Sequence, residues 1–162
     1  RTFIRPYLTA IQSTPVLAVI LIALIWFKTE IVPVFVAFLM AFPVIVAAVM
    51  EGMKSLDPKL LDMATVYRVG RRRLLFGLYL PSILPFLAAG ASSALGLSWR
   101  VVVAAEVLSQ PLWGIGTGLQ EAKVRLETPR VFAWTLTALI VSFLMDRIFT
   151  RLVRKLKRRT SS

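Results

Sequence analysis

Four long stretches with few or no charged residues constrain this chain more than any other feature. About 20 helical residues, rising 1.5 Å each, match a hydrocarbon layer of about 30 Å. The predicted membrane spans are residues 7–27, 31–50, 76–99 and 131–149. A soluble fold would have to bury all four with too little polar sequence left to cover them. The sequence therefore predicts an all-α fold, a polytopic transmembrane helical bundle that forms a single domain over residues 1–162.

Charge then orients the bundle. The chain is 57% hydrophobic, yet its 20 Lys and Arg against 8 Asp and Glu give a net charge of +12. If the loop 51–73 is cytoplasmic, fifteen of the twenty basic residues fall on the cytoplasmic side, before the first span, in this loop, or from Arg147 onward. Lys and Arg favour the cytoplasmic side during insertion. The loop 51–73 and the basic tail 150–162 are therefore predicted to be cytoplasmic.

The composition excludes several kinds of catalysis. The chain has no Cys and no His, which removes thiolate nucleophiles, Cys/His zinc sites and histidine bases. The glycines of the sequence GIGTG, from Gly114 to Gly118, do not form a phosphate-binding loop because no Lys-Ser/Thr follows them. We expect no catalytic residue, no metal site and no cofactor bound by this chain.

The loop 51–73 contains a short predicted helix. Asp57 followed by Pro58 is a typical helix start, since Asp caps free N–H groups and Pro fits the first helical position. Four apolar residues then share one helix face, namely Leu60, Leu61, Ala64 and Tyr67. This helix is too short and too polar to span a bilayer. Its apolar face must cover a partner protein, the lipid headgroups or the inner surface of the same chain.

The residues that follow carry a resemblance. The sequence Asp62-Met63-Ala64, with Leu78-Tyr79-Leu80-Pro81 at the right distance, resembles the cytoplasmic loop of binding-protein-dependent ABC transporter permeases. The signature of that loop reads Glu-Ala-Ala, three residues, Gly, nine residues, then Ile-x-Leu-Pro. The departure is Arg68 at the usual Gly position, with Gly70 two residues later. We therefore expect the turn after the short helix to be displaced or differently shaped.

The resemblance extends over nearly the whole chain. Thr14-Pro15, Gly96-Leu97, Ala105-Glu106 and Gly114-Ile115-Gly116 are similar to permeases of the nitrate, sulfonate and taurine importer group. Such permeases carry about two further spans before the position of Arg1. The chain is therefore expected to be the C-terminal portion of a longer polypeptide.

The resemblance implies a type I ABC importer permease in the bacterial inner membrane. Its short cytoplasmic helix would be a coupling helix that docks on a dimer of cytoplasmic ATPases, which alone bind ATP. A second permease subunit, expected to be an identical copy, and an external solute-binding protein would complete the importer. The solute would be a small organic or inorganic anion such as sulfonate or nitrate, or a related small metabolite. The residues expected to couple to the ATPase are Leu60, Leu61, Asp62, Ala64, Tyr67, Arg68 and Gly70.

Two charges fall near the predicted outer end of the third span. A charge at membrane depth is costly unless it faces water, a partner or the bundle interior. We therefore hypothesise that Arg100 and Glu106 line the outer part of a translocation path. The alternative, given equal weight, is that they are interfacial groups or pair with each other.

Other classes of function remain open at this point. The chain could be a membrane anchor or assembly subunit of an enzyme complex, or a channel bundle that needs no ATP. The basic run Arg71–Arg73 is expected to set topology and contact anionic lipid. Nucleic acid is not an expected partner, because no groove-reading fold or stacking aromatics accompany these arginines.

Overall fold

The computed structural model describes residues 14–160, and side chains as far as Arg151. Residues 7–13 of the first predicted span, Arg1 and Arg5 lie outside the described residues, as do the side chains of the tail beyond Arg151. The described part consists of helices and short connections, which confirms the all-α fold. The helices are α1 (Val16–Trp26), α2 (Val32–Lys54), α3 (Pro58–Val66), α4 (Arg71–Ser109), α5 (Ile115–Val124) and α6 (Thr128–Thr160).

Three of the six helices are long and apolar enough to cross a membrane: α2 with 23 residues, α4 with 39 residues, and the first 24 residues of α6. They contain the predicted spans 76–99 and 131–149 and all but the first residue of the predicted span 31–50. Helix α4 continues ten residues beyond position 99 and so includes both Arg100 and Glu106. Helix α1 has 11 described residues and begins directly after Pro15.

Helices α1, α2 and α4 meet in a small core near the outer ends of α2 and α4. The side chains of Ile20, Val32 and Val36 are fully buried there. Phe27 and Phe35 stack beside this core with ring centroids 4.5 Å apart. Because lipid tails are as apolar as these side chains, close packing rather than escape from water holds such helices together.

The α2–α4 contact depends on small residues. A Cβ atom at Gly90 would clash with the Cβ atom of Ala48, and one at Gly52 would lie 3.0 Å from the Cα atom of Ile83. The glycines of each helix therefore let the other approach closely, as small residues do in membrane interfaces. Gly90 belongs to a run of small residues in the third predicted span, from Ala88 to Gly96. Ala48 lies opposite Gly90 and Gly52 lies opposite Ile83, so α2 and α4 are antiparallel.

The N-terminal start of α4 is irregular. Residues Leu75–Tyr79 form a π-helical segment between Arg71–Leu74 and Leu80–Ser109, and the N–H of Leu80 bonds to the carbonyl of Leu75. Pro81 follows at once. Proline has no N–H, and in a regular helix its ring clashes with the carbonyl four residues earlier. The wider π turn accommodates this proline without ending the helix.

Candidate functional site

Helix α3 lies between two membrane helices and has well-defined ends. Its N-cap is Asp57, whose Oδ1 atom accepts a hydrogen bond of 2.9 Å from the backbone N–H of Lys59, and Pro58 occupies the first helical position. A side-chain cap of this kind satisfies one of the free N–H groups of the first turn. The helix therefore starts where the Asp-Pro pair predicts.

The C-terminal end of α3 closes with a paired turn. The N–H of Arg68 donates to the carbonyl of Thr65 at 3.1 Å, and the N–H of Val69 donates to that of Ala64 at 2.9 Å. These two bonds define a Schellman motif, in which the residue directly after the C-cap adopts a left-handed conformation. Arg68 is that residue, with φ of 49°, whereas Gly70 has φ of −60°. The turn therefore remains at position 68 and is not displaced to Gly70.

The apolar residues of α3 divide between two sides of the helix. Leu60, Met63 and Tyr67 are 46%, 54% and 75% exposed, and their spacing of three and four places them on one face. We call these three residues the exposed stripe. Leu61 and Ala64 are half-buried instead. Met63 is absent from the set predicted from sequence, although its spacing from residues 60 and 67 could have indicated it.

The polar members of the predicted set surround this helix. Asp62 and Arg68 are exposed, as is the backbone position Gly70. These residues and the exposed stripe lie at the basic end of the bundle, where apolar side chains and charges of both signs are accessible. Such a surface suits a helix-in-groove contact with another protein.

Glu106 lies at a different junction, at the other end of α4. Its Oε2 atom accepts a hydrogen bond of 2.8 Å from the N–H of Gly116, in the first turn of α5. A carboxylate is favourable there because the free N–H groups and the helix dipole both attract negative charge. A Cβ atom at Gly114 would lie 2.7 Å from the carboxyl carbon of Glu106, and one at Gly116 would clash with the carbonyl of Val103. Glycine at both positions lets α5 reach this carboxylate.

The two charges of the third span are separate in the structure. Arg100 is exposed, and Glu106 bonds to Gly116 rather than to Arg100. Ion pairs in the described part of the chain join residues three or four apart, at exposed positions. Exposed pairs of this kind contribute about 0–1 kcal/mol. Of the two groups, Arg100 is the one that the structure leaves accessible.

Comparisons with known proteins identify the class to which this arrangement belongs. The profile of the binding-protein-dependent transport system inner membrane component family matches residues 1–158. The chain belongs to this family of ABC transporter permeases. It is accordingly a multi-pass protein of the bacterial inner membrane with the type I permease fold.

Individual relatives agree with this assignment. A probable ABC transporter permease protein of Brucella melitensis is 31% identical over 157 residues, which cover 96% of this chain and 63% of the relative. A putative aliphatic sulfonates transport permease protein of Bacillus subtilis is 28% identical, covering 95% of this chain and 56% of its own length. A taurine transport system permease protein of Escherichia coli is 27% identical, covering 96% and 57%. The chain thus spans about three fifths of the length of these relatives.

Proposed function

We propose that this chain is part of the permease subunit of an ATP-driven importer, and that α3 is the coupling helix through which a separate ATPase moves it. One observation carries the proposal. In a member of this permease family, the exposed stripe of α3 is presented between two membrane helices, at the end of the bundle where basic residues concentrate. An anchor subunit or a passive channel is not favoured by this family membership.

The two sides of α3 have different roles in this proposal. The exposed stripe enters the groove of the ATPase, while the half-buried Leu61 and Ala64 stay outside this contact. Asp62 and Arg68 orient the contact through charged hydrogen bonds at its edge, and Gly70 begins the link to α4. Motion of the ATPase would thus pass through α3 into the membrane helices.

The remaining subunits follow from the same proposal. ATP is bound and hydrolysed by a dimer of ATPase subunits, since this chain contains no Walker sequence. A second permease subunit, expected to be an identical copy, and an external solute-binding protein complete the importer. The solute is a small oxyanion or a zwitterion that bears one, because related permeases are named for aliphatic sulfonates, bicarbonate and taurine.

Roles for the outer charges can also be proposed. Arg100 is exposed near the outer end of α4 and would contact an anionic solute on the outer part of the path. Glu106 would act on the path through α5, whose first turn it holds. Glu106 is therefore a positioning residue in this proposal rather than a solute contact.

Site-specific crosslinking tests the coupling role. A photoreactive amino acid is placed singly at positions 60, 63 and 67, and at the half-buried positions 61 and 64 as matched controls, in the full-length permease expressed with its neighbouring subunits. We expect positions 63 and 67 to capture a nucleotide-hydrolysing protein, with a yield that changes when ATP is added. Positions 61 and 64 should give mainly crosslinks within the permease. Capture of no ATPase from any of the exposed positions would contradict the proposal.

A further inference from the structure

A polar cleft separates α4 from α6 and has no role in the coupling contact. Its volume is about 680 Å³. Helix α4 contributes two hydroxyl groups and α6 contributes three charged side chains and a third hydroxyl. The polar lining residues are Ser92, Ser93, Asp146, Arg147, Thr150 and Arg151.

The cleft lies at membrane depth. A Cβ atom at Gly96 would be 3.7 Å from the Oδ1 atom of Asp146, which places these two residues at the same level. Gly96 falls in the predicted span 76–99 and Asp146 in the predicted span 131–149, so this level lies within the membrane spans.

The charges of the cleft are exposed at this depth. Asp146, Arg147 and Arg151 are all accessible, and none of them belongs to an ion pair within the described part of the chain. The guanidinium of Arg147 lies 4.8 Å from the centre of the Phe143 ring, a cation–π contact that leaves its N–H donors available. Exposure of such groups to lipid within a span is costly. The cleft must therefore face water, protein or a polar solute.

We infer that this cleft is a contact site for the oxyanion of the solute on the translocation path. The inference rests on the proposed transport function and adds its binding chemistry. Two guanidinium groups outnumber one carboxylate, and a guanidinium binds a sulfonate or carboxylate through two parallel hydrogen bonds. The hydroxyls of Ser93 and Thr150 can donate to the same anion. Asp146 weakens anion binding enough for release, as conduction requires, and would attract the ammonium group of a zwitterion.

Labelling of a single cysteine tests this inference, because residues 1–162 contain no natural Cys. Ser93→Cys is introduced into the full-length permease, in a cysteine-free background, and assembled with its ATPase in proteoliposomes. Two water-soluble methanethiosulfonates are compared, one with a sulfonatoethyl group and one with a trimethylammonioethyl group. In each case the thiolate of the new cysteine attacks the thiosulfonate, a mixed disulfide forms, and methanesulfinate leaves. Each rate is divided by the rate of the same reagent with a small free thiol.

We expect the normalised rate of the sulfonate reagent to exceed that of the cationic reagent several-fold. Arg147→Gln and Arg151→Gln should each lower this ratio at least threefold, and Asp146→Asn should raise it. Millimolar ethanesulfonate should slow the reaction with either reagent. Leu95→Cys, two residues away on the opposite side of α4, is the control for lipid-facing positions and should react with neither reagent. Lys28→Gln, a distant exposed cation, should leave the ratio unchanged.

Several results would overturn the inference. Absence of labelling at position 93 would show that another protein segment closes the cleft. A preference for the cationic reagent, or a ratio insensitive to Arg147→Gln, would show that the arginines do not attract anions there. Protection by anionic lipid but not by ethanesulfonate would identify a headgroup site instead. Copurification of the ATPase, measured on the same preparations, is independent of the labelling, so failure of the proposed function would be recognised separately.

Discussion

Replacement of Arg68 by glycine should stabilise the C-terminal end of α3. Arg68 has a left-handed backbone conformation, which costs an L-amino acid roughly 1–2 kcal/mol and glycine almost nothing. Glycine also gains freedom in the unfolded chain, which offsets roughly 0.4–1 kcal/mol of this benefit. The net stabilisation of the closed turn by Arg68→Gly is therefore about 0.5–1 kcal/mol, equivalent to an about two- to fivefold smaller fraction of opened turn.

Hydrogen exchange measures this change directly. The amides of Arg68 and Val69 donate the two hydrogen bonds of the turn, so peptides that cover residues 60–75 should exchange about two to five times more slowly in Arg68→Gly. The exchange rates of the parent and variant proteins are compared in the full transporter without nucleotide, so that ATP does not change the proposed contact between α3 and the ATPase. Val66→Gly, in the last turn of α3, is the matched control and should accelerate exchange, since glycine costs about 1 kcal/mol within a helix.

A second turn of the same kind closes the end of α5. Leu126 has φ of 58°, and the N–H groups of Leu126 and Glu127 donate to the carbonyls of Lys123 and Ala122. Leu126→Gly should therefore slow exchange at the end of α5 to a similar degree. If both glycine variants exchange as fast as the parent protein or faster, the left-handed conformation carries no strain and the explanation is refuted.

Two further predictions concern packing. Glu106→Ala removes the charged acceptor of the Gly116 N–H and should destabilise the α4–α5 junction by about 1.5–3 kcal/mol. Glu106→Gln keeps an oxygen acceptor and should cost less. Thermal unfolding, followed by the fluorescence of Trp134, which contacts Gly118, compares the stability of the two variants. Equal losses of stability would contradict the role of the charge. Gly90→Leu should separate α2 from α4 and destabilise the protein by about 1–3 kcal/mol or more. Gly77→Ala is its control, because no atom lies within 4 Å of the added Cβ, and similar unfolding midpoints for the two variants would argue against the close contact.

Much of the fold could be predicted from local sequence patterns. Uncharged runs of about 20 residues indicate membrane helices because the thickness of the bilayer fixes their length. The Asp57-Pro58 pair indicates the start of α3 because its capping bond forms within three residues. These features need no knowledge of the tertiary structure, and they are the ones for which the sequence and the structure agree most closely.

Features that depend on distant residues were harder to predict. The apolar residues of α3 could be placed on one face from their spacing, but only the position of the rest of the chain shows that Leu61 is half-buried and that Met63 is exposed. Similarly, Asp146 is 50 residues from Gly96 in sequence, and only the packing of α6 on α4 brings them to one level. The link from Glu106 to Gly116 crosses the turn between two helices, where spacing alone does not define direction.

The unbroken length of α4 has a mechanical consequence. A helix of 39 residues is about 58 Å long, so a tilt of about 10° around its midpoint would displace its two ends by about 5 Å in opposite directions. One end of α4 adjoins α3, the helix that would contact the ATPase. The other end carries the carboxylate of Glu106, which binds the first turn of α5. The π-helical segment Leu75–Tyr79 lies near the N-terminal end of α4, where its irregular hydrogen bonding favours bending. Under the proposed coupling, the displacement passed to the far end of α4 would depend on the stiffness of those five residues.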